Sequence, residues 1–130
     1  MADDHAIISL ADKLFELFQA GSWDESLSCF SSDATVIQQI GKSAKEITAQ
    51  ALIDELKFGS LSALGNPTYL DRRVQVIGQH GFVEQHITQL TIKGQTIEMP
   101  VCIVAQVNEE NLITRLEEYL NPSPIIRALS

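Results

Sequence analysis

Four extended segments crowd the second half of the chain: Thr68–Gly78, Phe82–Lys93, Gln95–Val107 and Leu112–Leu120. Each mixes apolar and polar residues in the alternating way that suits a strand with one buried face. The breaks between them are short, reading Gln79-His80-Gly81, Lys93-Gly94 and Asn108-Glu109-Glu110-Asn111. All three are credible hairpin connections, so this half is predicted to fold as a meander of long antiparallel strands. One face of that meander needs a cover, and the first half of the chain must supply it.

The first half reads as helical. From about Asp3 to Ala20, Ile7, Ala11, Leu14 and Phe18 recur at helical spacing, with Ile8 and Phe15 widening the stripe. Gly21 is placed to end that helix. Ser22-Trp23-Asp24-Glu25 follows as a capping box, predicting a second helix with Trp23, Leu27 and Phe30 on its apolar side. Thr35–Ile40 reads as a short strand. Ser43-Ala44-Lys45-Glu46 is a second capping box, predicting a third helix. Its buried side would carry Ile47, Ala51, Leu52 and Leu56, with Phe58 near a stop at Gly59. The stretch from there to Pro67 is turn-like, punctuated by Gly65-Asn66-Pro67. Helices first and strands afterwards predict one segregated α+β domain spanning residues 1–130.

The hairpins also predict which side chains share a face. With Lys93-Gly94 as a two-residue turn, Leu90 pairs with Ile97, Thr88 with Met99, and His86 with Val101. With Asn108–Asn111 as a four-residue loop, Val107 pairs with Leu112, Ile103 with Leu116, and Val101 with Glu118. One face then holds Ile97, Met99, Val101, Ile103 and Ala105, flanked by His86, Thr88 and Leu90 and by Leu116, Glu118 and Leu120. It is the more apolar face, so the helices should cover it. Of the adjacent pair in Arg115-Leu116-Glu117-Glu118-Tyr119, Glu118 is predicted inside and Glu117 outside. His86 and Glu118 would share a row across Val101, with backbones roughly 10 Å apart. Pro100, Cys102 and Val104, with Ile113 and Tyr119, make the opposite face too apolar for full solvation, which predicts a homodimer packed through the sheet.

Composition narrows the partners. Of the 130 residues, 45% are hydrophobic and 20% charged, and the net charge is −8. Lys and Arg gather nowhere beyond Asp71-Arg72-Arg73, so neither nucleic acid nor an anionic membrane surface is an expected partner. The start of the chain carries acidic residues where a signal peptide has basic ones, and no run nears the roughly 18 apolar residues of a membrane span. A cytoplasmic protein is expected. Cys29 and Cys102 read as free thiols, and His5, His80 and His86 lack metal-ligand spacing, so no metal site is expected.

The stretches FQAGSWDESLSCFSSDATVI, IGKSAKEI and LITRLEEYLNPSPI, in that order, resemble the SnoaL-like, polyketide-cyclase-like branch of the nuclear-transport-factor-2-like superfamily. The likeness spans nearly the whole chain and rests on order and spacing rather than invariant residues. It implies a cone: a curved antiparallel sheet wrapped around three N-terminal helices, with a pocket in its mouth, in proteins that are often homodimers. It also implies that the acid before Tyr119, Glu118, points into the pocket as general acid or base, and that a polar pocket residue lies on the strand of His86. Two branches fit less well. Epoxide-hydrolase-like members carry an Arg and a second Asp where His86 and Thr88 stand. Ketosteroid-isomerase-like members use a first-helix Tyr, where Leu14, Phe15 and Phe18 stand.

The resulting expectation is a cofactor-independent isomerase, cyclase or lyase acting on an apolar small molecule, with Glu118 and His86 as the catalytic pair. Burial should raise the carboxyl pKa of Glu118 toward the range useful for proton transfer. Substrate-binding candidates are Phe15, Phe18, Trp23, Gln38, Arg72, Thr88, Met99, Val101, Ile103 and Leu116. Whether Gln38 or Gln39 faces inward is open, and so is the choice between Arg72 and Arg73. Arg72 shares its parity with Leu70, Val74 and Val76, and can either bind an anion or snorkel outward. Glu84, two residues from His86 on one face, is a rival partner for that ring. The plainer readings are a structural carboxylate tied to Arg72, Arg115 or a backbone amide, and a non-catalytic ligand-binding or dimerisation module.

Overall fold

A computed structural model describes residues 3–59, 62 and 64–130. The turn-like reading of Ser60, Leu61 and Ala63 lies outside the described residues. Helix α1 spans Asp4–Ala20, with the Asp3 side chain accepting from the Ala6 amide at 2.8 Å and Gly21 as its left-handed C-cap. Its buried stripe is Ile7, Leu10, Ala11, Leu14, Phe15 and Phe18. At roughly 2 kcal/mol for each large side chain buried, packing outweighs the tenths of a kcal/mol that separate ordinary helix propensities. The short helix α2, Trp23–Ser26, runs into a tighter turn at Leu27–Cys29, and Ser22 makes no side-chain cap.

The strands are β1 (Phe30–Ile40), β2 (Ser43–Thr48), β3 (Thr68–Ile77), β4 (Gly81–Ile92), β5 (Gln95–Val107) and β6 (Ile113–Leu120). They form one curved sheet in the order β2-β1-β6-β5-β4-β3. The meander matches the four predicted segments closely. The sheet is nevertheless mixed, because β1 lies parallel to β6. Nothing local in the chain announces that long-range pairing.

The third helix starts later than expected. Ser43–Thr48 is a strand paired with β1, and α3 is Ala49–Phe58, capped by the Thr48 hydroxyl on the Ala51 amide at 3.0 Å. An S-x-x-E pattern fits a hairpin strand as well as a cap, and here β1 claims its backbone. Ala49, Leu52 and Ile53 are the buried side of α3, while Ala51 is exposed and Phe58 is 75% exposed. A further helix, α4 (Ser123–Leu129), packs on β5 and β4, and Lys93 donates to its Leu129 carbonyl at 3.0 Å. Among the described residues no helix is long and apolar enough to cross a membrane.

Three irregularities set the facing. At Lys93-Gly94 both residues have positive φ, 52° and 75°, as a type I′ turn demands, and every pairing expected of β4 with β5 is present. At the next hairpin the loop is one residue longer than expected, and Thr114 forms a bulge. The two extra residues add to a two-residue shift: Ala105 faces Leu116, Ile103 faces Glu118, and Val101 faces Leu120. An even shift leaves parity intact, so Glu118 still points inward. Ahead of the bulge the parity is opposite, so Ile113 is fully buried opposite Val107 rather than on the outer face.

A second bulge lies in β3. Leu70 pairs with Ile87 but Arg73 with Gln85, leaving one extra residue, and Asp71 has a φ of 55°. Before the bulge Tyr69 faces inward beside Thr88. After it Val74 and Val76 do, opposite Glu84 and Phe82. Leu70 is therefore outward, contrary to the single parity read for the strand.

Gly81 opens β4 under the Ala105 carbonyl of β5, so closely that a Cβ would collide with that backbone oxygen. Gly81→Ala is expected to lower stability by about 1–3 kcal/mol, the usual range for overpacking, read as a lower urea midpoint at unchanged slope.

Candidate active site

Between α1, α2, α3 and the concave face of the sheet lies a cavity of about 150 Å³. Such a volume, lined by apolar side chains, is the size that accommodates benzene. Phe15, Phe18, Trp23, Met99, Val101, Ile103 and Leu116 line it, as do Gln38, Thr88, His86 and Glu118. Gln38 rather than Gln39 faces in, because Gln39 turns away to donate to the Gly41 carbonyl at 3.1 Å. Arg72 does not line this cavity. Leu52, Leu90 and Leu120, expected on the buried faces, do line it, as do Tyr69, Val36 and Ile125, for which the sequence offered no such expectation. Tyr69 was hidden by the β3 bulge, whose signal is a charged Asp71-Arg72-Arg73 run inside an otherwise regular strand.

The two adjacent glutamates divide as expected. Glu117 is held on the outer face, accepting from Arg115 Nε at 2.9 Å and from the Tyr119 hydroxyl at 2.8 Å, which keep its carboxyl below the usual range. Glu118 has no hydrogen bond or ion pair among the described residues. The protein surrounds it, and the surface it retains faces the cavity. Burial alone raises its pKa to about 7.

Glu118 does not stand in the row of His86. Its row is Glu84, Ile103, Glu118 and Gln38, while His86 aligns with Val101 and Leu120. The two backbones are therefore offset, roughly 12 Å apart on standard strand geometry. An occupant of the cavity could touch both side chains without their touching each other.

The partner of His86 is Glu84. His86 Nδ1 lies 2.7 Å from Glu84 Oε2, and the same carboxylate accepts from Arg72 Nε and Nη2, both at 2.9 Å. Glu84 is fully buried and His86 is 3% exposed. Burial pushes the Glu84 carboxyl up, but the hydrogen bonds from His86 and Arg72 and the charge of Arg72 more than offset it, leaving the carboxyl below its usual range. Arg72 also meets Asp12 of α1 at 3.0 Å and lies over the Phe15 ring. Phe15, Tyr69 and His86 form an aromatic cluster with centroids 4.5 to 5.2 Å apart. The Tyr69 amide donates to Gln19 Oε1 at 2.7 Å, tying β3 to α1. Burial, followed by the charges of Glu118 and Glu84, raises the Tyr69 pKa, so its hydroxyl keeps its proton.

No protein-family model matches the chain, and no curated protein does. Solved structures match it along nearly its full length. A candidate polyketide cyclase of Xanthomonas campestris pv. campestris is 18% identical, with 97% of this chain and 98% of that one covered at a TM-score of 0.80. A candidate isomerase of Bacillus subtilis is 12% identical, with 99% and 96% covered at 0.81. An NTF2-like protein of Anabaena variabilis ATCC 29413 is 17% identical, with 92% of each chain covered at 0.71. The chain has the nuclear-transport-factor-2-like fold that the sequence resemblance implies.

The raised pKa of Glu118 makes stability pH-dependent. The native protein keeps a proton that the unfolded chain releases near its ordinary value of 4.5. This contribution is therefore complete below that value and disappears as pH rises through about 7, a loss on the order of 3 kcal/mol. Relative to wild type, Glu118→Gln should gain stability by about that amount between roughly pH 5 and pH 8, as followed by urea unfolding.

Proposed function

We propose that the protein is a small enzyme of isomerase, cyclase or lyase type, using acid–base chemistry without a cofactor on an apolar, ring-sized molecule. The observation that carries this reading is the Glu118 carboxyl, without a partner among the described residues in a largely apolar cavity, its pKa raised by burial to about 7. A carboxyl left so is costly to the fold unless it has work to do. His86 is the second member of the pair, on the opposite side of Ile103 and Val101. Tyr69 lines the same space, and on this reading its hydroxyl is the donor.

Proton abstraction next to a carbonyl fits these groups. Glu118 as carboxylate takes the proton from carbon. The C–H electron pair forms a new C=C bond, and the carbonyl π pair moves to oxygen, where the Tyr69 hydroxyl donates to it. His86 or the protonated Glu118 then returns a proton at a second carbon or to a leaving group. No electrons are gained or lost overall. The fold likeness to a candidate cyclase and a candidate isomerase is consistent with this class of reaction and does not choose a substrate.

The test needs no prior substrate. Monocyclic ketones and enones incubated with the protein in D₂O should take up deuterium beside the carbonyl, as read by proton NMR. Glu118→Gln should lower that exchange by about 100-fold or more while leaving the fold intact. Absence of exchange in wild type, together with ring binding retained in Glu118→Leu, would favour the non-catalytic ligand-binding module instead.

We further propose that the outer sheet face pairs with a second copy of the chain. Val83, Ile87, Cys102 and Val104 are only half-buried there and Pro100 is exposed. Light scattering should give twice the mass of one chain for wild type and the mass of one chain for Val104→Glu.

A further inference from the structure

Behind the cavity wall runs a connected line of side chains that leads from the surface of α1 to the His86 ring. Asp12 Oδ1 meets Arg72 Nη2 at 3.0 Å. Arg72 clasps both oxygens of Glu84, and Glu84 Oε2 meets His86 Nδ1 at 2.7 Å. Asp12 is half exposed, Arg72 mostly covered, Glu84 fully buried. The line thus becomes drier toward the ring, where each contact gains strength.

The geometry points to Asp12, Arg72 and Glu84 as a positioning chain that fixes the tautomer of His86 and presents its Nε2 to the cavity. This deepens the acid–base reading above and rests on it. The argument is one of donors and acceptors. An ionised carboxylate can only accept, and Glu84 is held ionised by the Arg72 fork. At 2.7 Å, His86 Nδ1 must then carry a proton whether the ring is neutral or charged. Any proton the ring exchanges with a cavity occupant is consequently the one on Nε2, which has no partner among the described residues. A neutral ring offers the occupant a lone pair, and a charged ring offers it an N–H.

Arg72 is required because Glu84 Oε2 serves two donors at once. Without the fork, nothing but His86 would hold a fully buried anion, and the carboxylate plane would be free to turn. Asp12 acts one step further out, by restraining the shared Nη2 of Arg72. The charged and titratable groups around the ring are then Glu84 on its own strand, Arg72 and Tyr69 on β3, Asp12 on α1, and Glu118 across the cavity on β6. Among the described residues none but Glu84 meets Nδ1.

Long-range proton–nitrogen NMR on the ¹⁵N-labelled protein reads this directly, with His5→Gln and His80→Gln to assign the other two rings. In wild type the His86 Nδ1 shift should stay at the protonated position at every pH at which the protein is folded, and the Nδ1 proton should exchange slowly with water. Arg72→Met should speed that exchange by about tenfold or more, and Asp12→Asn should do so to a smaller extent. With any substrate found in the deuterium assay, Arg72→Met should lower kcat far more than it changes KM. A neutral His86 protonated on Nε2, an Nδ1 shift that titrates, or Nδ1 exchange indifferent to both variants would overturn the assignment. Should Arg72→Met not fold, the wild-type shifts and Asp12→Asn decide alone. Failure of the positioning chain appears in these nitrogen shifts, whereas failure of the enzymatic reading appears in the deuterium exchange of wild type and Glu118→Gln.

Discussion

A fully buried carboxylate on the concave side of the sheet is the constraint to which the site answers. Glu84 sits in β4, between β3 and β5, with no exposed surface. An anion there survives only if cations or donors surround it, and losing one partner of such a pair typically costs about 3–5 kcal/mol. The Arg72 fork and the His86 ring meet that need. In doing so they link β3 to β4, and through Asp12 they attach both to α1. Replacing the group with a hydrocarbon would serve stability as well or better. Its presence next to a cavity is therefore better explained by the ring it orients than by the fold it supports.

Glu118 is the complement of Glu84. Both carboxyls lie in one row of the sheet, separated by Ile103, and their environments drive them apart. Arg72 and His86 keep Glu84 ionised, whereas Glu118, without a partner among the described residues, takes up a proton near neutrality. On the proposed reading, this difference in protonation lets one carboxyl orient and the other transfer protons. Phe15, Tyr69 and His86 line one side of the cavity, whose volume of about 150 Å³ suits a ligand of about one ring.

Bulges explain most of what reading along the chain misplaced. Strand parity extrapolated from Val74 and Val76 puts Leu70 inside and leaves Tyr69 out. One extra residue at Asp71 reverses both. Treating Asn108–Asn111 as the whole connection puts Glu118 beside His86, and a longer loop plus Thr114 moves it one row away. The first error changes which side chain enters the cavity, because the slip is odd. The second leaves the face unchanged, because the slip is even. The capping-box reading of Ser43–Glu46 failed for a different reason: a local pattern that two structures satisfy was decided by the pairing of β2 with β1.

By itself the sequence determined the α1 stripe, apart from the exposed Ile8 and the buried Leu10, its Gly21 C-cap, the four long strands, the Lys93-Gly94 register and the inward turn of Glu118. Each of these is encoded over a few neighbouring residues, through helical spacing, alternation or the positive φ of a tight turn. Tertiary structure alone decided the parallel contact of β1 with β6, the entry of Tyr69, and the attachment of Arg72 to Glu84 rather than to the cavity. Those depend on residues distant in the chain, or on a bulge. There the choice lies with the hydrogen bonds of the neighbouring strand and the need of a buried charge for partners, neither of which a single segment carries in its own pattern.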